Sequence, residues 1–148
     1  MPAIASGQTW YSPRLLRKYP HLSTEDIPVW ERFLKANPLF YESVAYDVHV
    51  GTGSIPPAHL DETTKSMWTR LTQKRIDIVG RRPDKIDIIE VKPILRPSAL
   101  GQVLTYKNLY EKQFSPEHPT RAVILFELSQ PDMIATAEDM GIECRRCF

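Results

Sequence analysis

Apolar and polar positions change period several times along the chain, and each change marks an element. Ile27, Trp30, Phe33 and Leu34 recur at helical spacing. Ser23 or Thr24 can cap that helix, with Glu25 and Asp26 in its first turn and Pro28 close enough to the start to be tolerated. Asn37-Pro38 ends it. Val44, Tyr46, Val48 and Val50 then alternate with more polar neighbours, which predicts a strand over Ser43–Val50 closed by Gly51-Thr52-Gly53. A loop with Pro56-Pro57 and a polar stretch around Met67 and Trp68 follow, without a predicted element. Lys74 to Gly80 reads as a strand, Arg81-Arg82-Pro83-Asp84 as a turn, and Lys85 to Lys92 as a second strand stopped by Pro93, which is a hairpin pattern. Pro97-Ser98 opens a helix to about Phe114, with Leu100, Val103, Leu104 and Tyr110 apolar. Arg121 to Leu128 is almost continuously apolar, as a central strand covered on both faces would be. A short helix over Pro131–Met140 ends at Gly141, and Ile142 to Cys147 forms a last strand.

The order is helix, three strands, helix, strand, helix, strand. Hairpin-linked strands followed by crossover helices imply an α/β fold with a mixed central β-sheet flanked by helices. The first 22 residues mix Pro, Tyr, Trp and Arg without a period and read as an N-terminal arm, leaving 23–148 as one domain.

Composition narrows the class. The chain has 148 residues, 42% hydrophobic and 25% charged, which excludes a disordered tail, a rod or a collagen-like repeat. No apolar run approaches the ~20 residues that span a bilayer. Met1 to Tyr11 lacks the basic start and apolar stretch of a secretory signal. Two cysteines cannot staple a secreted framework, so a reducing, intracellular compartment is expected. The net charge of +1 hides an uneven distribution, because residues 65–107 hold ten basic and four acidic side chains between mildly acidic flanks. A basic centre can attract a polyanion locally, although a solvated charged surface explains it as well.

The chemistry concentrates in that basic segment. Glu90 and Lys92 lie two apart on one strand and share a face, while Val91 points the other way. Asp77 lies on the partner strand and can face the same side. The plain alternative is a cross-strand salt bridge. Against it, Ile76, Ile78, Ile88, Ile89 and Val91 make both strands look buried, and charge inside such strands is costly without a task or a partner. Two converging carboxylates favour a cation between them. Oxygen ligands suit Mg²⁺, with Mn²⁺ as a substitute, and the Val91 carbonyl is a reasonable further ligand. Lys92 could hold an attacking water or stabilise a phosphoryl transition state. Gln102 and Tyr106, four apart on the next helix, share a face that could close over this site.

The runs Arg75-Ile76-Asp77-Ile78-Val79-Gly80, Ile88-Ile89-Glu90-Val91-Lys92-Pro93 and Gln102-Val103-Leu104-Thr105-Tyr106 resemble the PD-(D/E)xK nuclease superfamily, in the RecB-like branch that carries a Gln-x-x-x-Tyr helix. The resemblance covers about residues 25–147, and its specific motifs occupy 75–106. It implies a restriction-endonuclease-like α-β-β-β-α-β core and a metal-dependent deoxyribonuclease. Asp77 and Glu90 would bind metal, Lys92 would serve the nucleophile, and Gln102 and Tyr106 would support the site. Ile76 stands where the family often has Pro. The family often has a Glu on the first helix, for which Glu31 is first choice and Glu42 second.

Tyr46 and His49 are weaker candidates, and four scattered histidines argue against zinc. Cys144-Arg145-Arg146-Cys147 has no second ligand pair; on a strand its cysteines would point to opposite faces, which favours a structural role. Arg70, Lys74, Arg75, Arg81, Arg82, Lys85, Arg96 and Lys107 supply positive charge for phosphate. Trp68 could stack on a base, but a core role is commoner for Trp. DNA is the expected partner, with a homo-oligomer or a larger assembly as the other. The competing expectation is a non-catalytic structural or DNA-binding component on the same fold, for example in a viral particle.

Overall fold

Strands that are apolar on both faces need cover on both sides, and the central strands of this chain receive it. The computed structural model describes residues 8–148. Their strands are β1 (Trp10–Tyr11), β2 (Ser43–Val50), β3 (Lys74–Arg81), β4 (Ile86–Ile94), β5 (Thr120–Leu128) and β6 (Glu143–Arg146). They form one six-stranded sheet in chain order. β1 to β4 pair antiparallel, and β4, β5 and β6 pair parallel. The helices are α1 (Ile27–Ala36), α2 (Glu62–Thr72), α3 (Pro97–Phe114) and α4 (Pro131–Asp139). The expected mixed sheet with flanking helices is therefore the architecture of the chain.

α1 covers one face. Val29, Trp30, Phe33 and Leu34 pack there with Val44, Tyr46, Ile78, Ile89, Val91, Val123 and Leu125. α3 and α4 cover the other face, against Ala122, Ile124 and Phe126 near β6 and Ile76, Val79 and Ile88 towards β2. Among the described residues no helix is long and apolar enough to cross a membrane.

The structure differs from the sequence reading in four places. Residues 62–72 form a helix where the sequence suggested a polar stretch without an element, and Trp68 lies on its surface, not in the core. Of the arm expected over 1–22, residues 1–7 lie outside the described residues. The rest packs on the fold: β1 pairs with Val44 and Ala45, and Tyr19 and Leu22 are buried. The cap of α1 is Asp26, while Ser23 accepts hydrogen bonds from Asp26 and Ile27 just before it. β4 also continues through Pro93 to Ile94. A proline is tolerated there because its missing N–H belongs to the side facing β3, where the ladder has already ended at Ile78 and Ile89. On the other side, pairing with β5 continues to Leu128.

Cys144 packs with the α3 and α4 layer and Cys147 with the α1 layer, so the two thiols sit on opposite faces as expected of a strand. Burial pushes each up to about 11, which keeps them protonated and unreactive near neutrality.

Candidate active site

The site lies where β3 and β4 part. Their ladder runs from Arg81 and Ile86 to Ile78 and Ile89 and then stops, although both strands continue. The facing of side chains also shifts here. Ile78 belongs to the α1 layer, yet Ile76, two residues away, belongs to the α3 layer. In β2, Tyr46 and Val48 show the same shift across Asp47, whose φ of 52° is left-handed. The paired kink at Asp47 and Asp77 turns both strands out of the regular pleat.

In the opening, side chains replace the missing ladder. The Val91 N–H donates to Asp77 Oδ2 at 3.0 Å, and the Asp77 N–H approaches Glu90 Oε1 at 3.5 Å. The carbonyl of Val91 projects to the same side of the strand as its N–H, towards the gap. Lys92 Nζ stands 3.8 Å from Glu90 Oε2. Asp77 and Glu90 are 8% and 2% exposed, among very few buried polar side chains in the described chain.

Burial dominates their electrostatics. It raises the Asp77 carboxyl above its ordinary range, against the opposing pull of the Val91 amide and the Lys92 charge. Glu90 is raised well above its ordinary value, first by desolvation and then by the charge of Asp77, with Lys92 acting in the other direction. Tyr106 is raised first by burial and then by the charges of Glu90 and Asp77. It stays a neutral donor. One turn earlier on α3, Gln102 Oε1 is buried and has no hydrogen-bond partner among the described residues.

The structure thus gathers Asp77, Glu90, Val91 and Lys92, while Tyr106 on α3 lies within range of the two carboxylate charges and Gln102 stands one turn earlier on that helix. Glu31 is held elsewhere: Tyr19 donates its hydroxyl to Glu31 Oε2 at 2.9 Å, and no contact brings this carboxylate to the pair. Glu42 bonds through its backbone to Arg81, at the opposite end of β3 from Asp77. The carboxylate that does reach the pair from α1 is Asp26, whose charge contributes to raising Asp77. Asp26 occupies the cap position without using its side chain as a cap. The sequence signal was present, but an acidic residue at a helix start already has a sufficient local explanation.

A groove of about 350 Å³ lies beside Lys92 and Asp26. Asp26, Lys92, Pro93, Arg96, Ser98 and Ala99 line it, so the first turn of α3 forms one wall. A larger open depression of about 570 Å³, around Lys107, Glu111 and His118, lies at the other end of α3 and contains none of the candidate side chains. Several basic residues expected to meet phosphate are occupied. Arg75 makes a bidentate pair with Asp47 at 2.7 and 2.8 Å, Lys107 pairs with Glu111, Arg81 stacks over Trp10 and Arg82 over Phe40. Tyr46 is core, accepting from Trp30 Nε1, and His49 binds the Arg70 carbonyl.

The donor set can be compared with a divalent cation. Two buried carboxylates, both raised chiefly by burial, a carbonyl on the open side of a strand and an unpartnered amide oxygen are the hard oxygen donors that Mg²⁺ or Mn²⁺ prefers. Among the described residues no group of three or more His, Cys, Asp or Glu side chains is placed to hold a metal ion. Comparison with protein-family models, with curated proteins and with solved structures finds no match to this chain.

Proposed function

We propose that this protein is a metal-dependent deoxyribonuclease that hydrolyses phosphodiester bonds at the parted ends of β3 and β4. One observation carries the reading: two nearly solvent-free carboxylates, Asp77 and Glu90, meet in a gap of the sheet with the Lys92 ammonium 3.8 Å from one of them. Sheet stability alone favours apolar side chains at such positions.

Asp77, Glu90 and the Val91 carbonyl would hold Mg²⁺, which when bound lowers the pKa of a coordinated water and offsets charge on the phosphoryl oxygens. Lys92 orients the attacking water and stabilises negative charge as the water oxygen bonds to phosphorus and the ester oxygen leaves. Tyr106, kept protonated, donates to a non-bridging phosphate oxygen. Gln102 turns its free carbonyl oxygen towards the water protons. Arg96 and the first turn of α3 line the groove beside Lys92, where a phosphate is attracted by both the guanidinium and the helix N-terminus.

The test is cleavage of end-labelled single-stranded, duplex and branched DNA with Mg²⁺ or Mn²⁺. Cleavage is expected from the wild type and should fall about 10²–10³-fold in Lys92→Ala, the scale of losing one positioned electrostatic group. Unchanged cleavage by Lys92→Ala removes the mechanism. Tight DNA binding without cleavage in any cation would favour the non-catalytic alternative.

A further inference from the structure

α2 is mounted with its amphipathic faces reversed. The side chains that turn towards the rest of the fold are Lys65, Thr69 and Thr72, which are only partly buried, and none of its residues is fully buried. The opposite face carries Met67 and Leu71, which are 59% and 78% exposed, and Trp68, 37% exposed, lies on the flank between that face and the fold. These three lie at the i, i+1 and i+4 positions of the helix, with Thr64 beside them. Ile55, 93% exposed, is held near the last turn because the Ser54 N–H donates to Thr72 Oγ1 at 2.8 Å.

The attachment of α2 is polar throughout. Asp61 caps its start by accepting from the Thr64 N–H at 2.7 Å, His49 bonds to the Arg70 carbonyl, and Gln73 donates to the Gly51 carbonyl. A helix of eleven residues gains little from local propensity, and most helices of that length depend on burying an apolar face. Here the large apolar side chains are exposed to solvent together on one side of the helix, and clustered exposed apolar side chains mark interaction sites on soluble proteins.

Charge is divided along the helix in a way that selects the partner. Asp61 and Glu62 stand at its N-terminal end, with Lys65 3.7 Å from Glu62, while Arg70 stands in its last turn and Lys74 just beyond it at the start of β3. An antiparallel crossing of two such helices opposes acidic and basic ends twice, and it opposes the two macrodipoles. A two-fold axis through Met67 and Trp68 produces this pairing with identical surfaces, as an isologous contact requires. A polyanion would meet the acidic end and gain nothing there.

We propose that the outward face of α2 joins two copies of this chain in an antiparallel dimer. The proposal is independent of any chemistry at Asp77 and Glu90. It does have a consequence for that region, because α2 ends five residues before Asp77 and so sets two copies of the β3–β4 opening on flanks of one assembly.

Sedimentation of the full chain tests it. The wild type is expected to pass from monomer to dimer with rising concentration in the micromolar range. Leu71→Glu should weaken association at least tenfold without changing the far-UV circular dichroism, and its melting temperature should equal the wild type's at concentrations where both are monomeric, since this side chain is solvated in the monomer. Under mild oxidation, Met67→Cys should give a disulfide-linked dimer across the axis. Ser66→Cys, on the opposite side of the helix, and the wild type with its own thiols should not. A wild type that stays monomeric at about 100 µM overturns the proposal, as does a dimer that Leu71→Glu leaves intact.

Discussion

Replacing Glu90 with Gln should make the metal-free protein more stable while removing its response to divalent cations. Glu90 is 2% exposed, and the Asp77 carboxylate shares its pocket. As a general scale, two unit charges roughly 4–5 Å apart repel by roughly 3–4 kcal/mol at an effective dielectric near 20. The folded protein can escape that repulsion by keeping Glu90 protonated. At pH 7 this costs at most about 3.7 kcal/mol, for a side chain that ionises near 4.3 when unfolded. Lys92, 3.8 Å away and partly exposed, offsets some of the penalty. Gln keeps the shape and an acceptor for the Asp77 N–H. The expected gain for Glu90→Gln at pH 7 in chelator is therefore about 1–3 kcal/mol, or about 2–10 °C in melting temperature for a chain of this size. The pH dependence has a definite sign. A carboxyl raised in the folded state binds its proton more tightly there than in the unfolded chain, so wild-type stability falls as pH rises above about 4.3 towards the folded value. The advantage of the variant should thus shrink as pH is lowered to about 4. Thermal melts from pH 4 to 8, with and without Mg²⁺ or Mn²⁺, measure both effects. If the variant is less stable than wild type at pH 7, or if its advantage does not change with pH, the repulsion inferred from burial is absent. If both proteins gain equally from Mn²⁺, Glu90 does not hold the cation.

Four other outcomes test the surrounding geometry. Asp26→Asn should leave stability nearly unchanged, because its side chain makes no cap bond, yet weaken Mn²⁺ binding several-fold by calorimetry through loss of a nearby negative charge. Tyr106→Phe should retain the fold and lower DNA cleavage by about 10- to 100-fold, with the loss in turnover more than in metal affinity. Gly80→Ala should destabilise by about 2–4 kcal/mol in urea unfolding, since a Cβ there would lie 2.4 Å from the Tyr41 ring and must displace it from Asp87. Tyr41→Phe should cost about 1–3 kcal/mol in the same assay, because Asp87 is fully buried, its Oδ2 accepts from the Tyr41 hydroxyl at 2.7 Å and its Oδ1 has no partner among the described residues.

How far the sequence could be read follows from where each residue finds its partners. The central strands and α3 bury continuous or periodic apolar sets, so their positions are visible without coordinates. Asp77, Glu90 and Lys92 are conspicuous for the converse reason: charge inside such runs contradicts the pattern that surrounds it, and a local contradiction is where function tends to sit. Asp26 escapes that logic because its position satisfies a local rule, and only the packing of α1 across β4 reveals its second neighbour. β1 is two residues long and has no period to detect; its place depends on the β2 edge. α2 is hidden for a deeper reason. Periodicity locates helices by assuming that apolar residues face the chain's own core, and α2 reverses that assumption, offering Met67, Trp68 and Leu71 outward. The same inversion that makes it illegible to core-seeking patterns is what points to a surface completed by a second molecule. Misreading the segment and inferring its partner therefore rest on a single physical fact, which the sedimentation of Leu71→Glu protein measures directly.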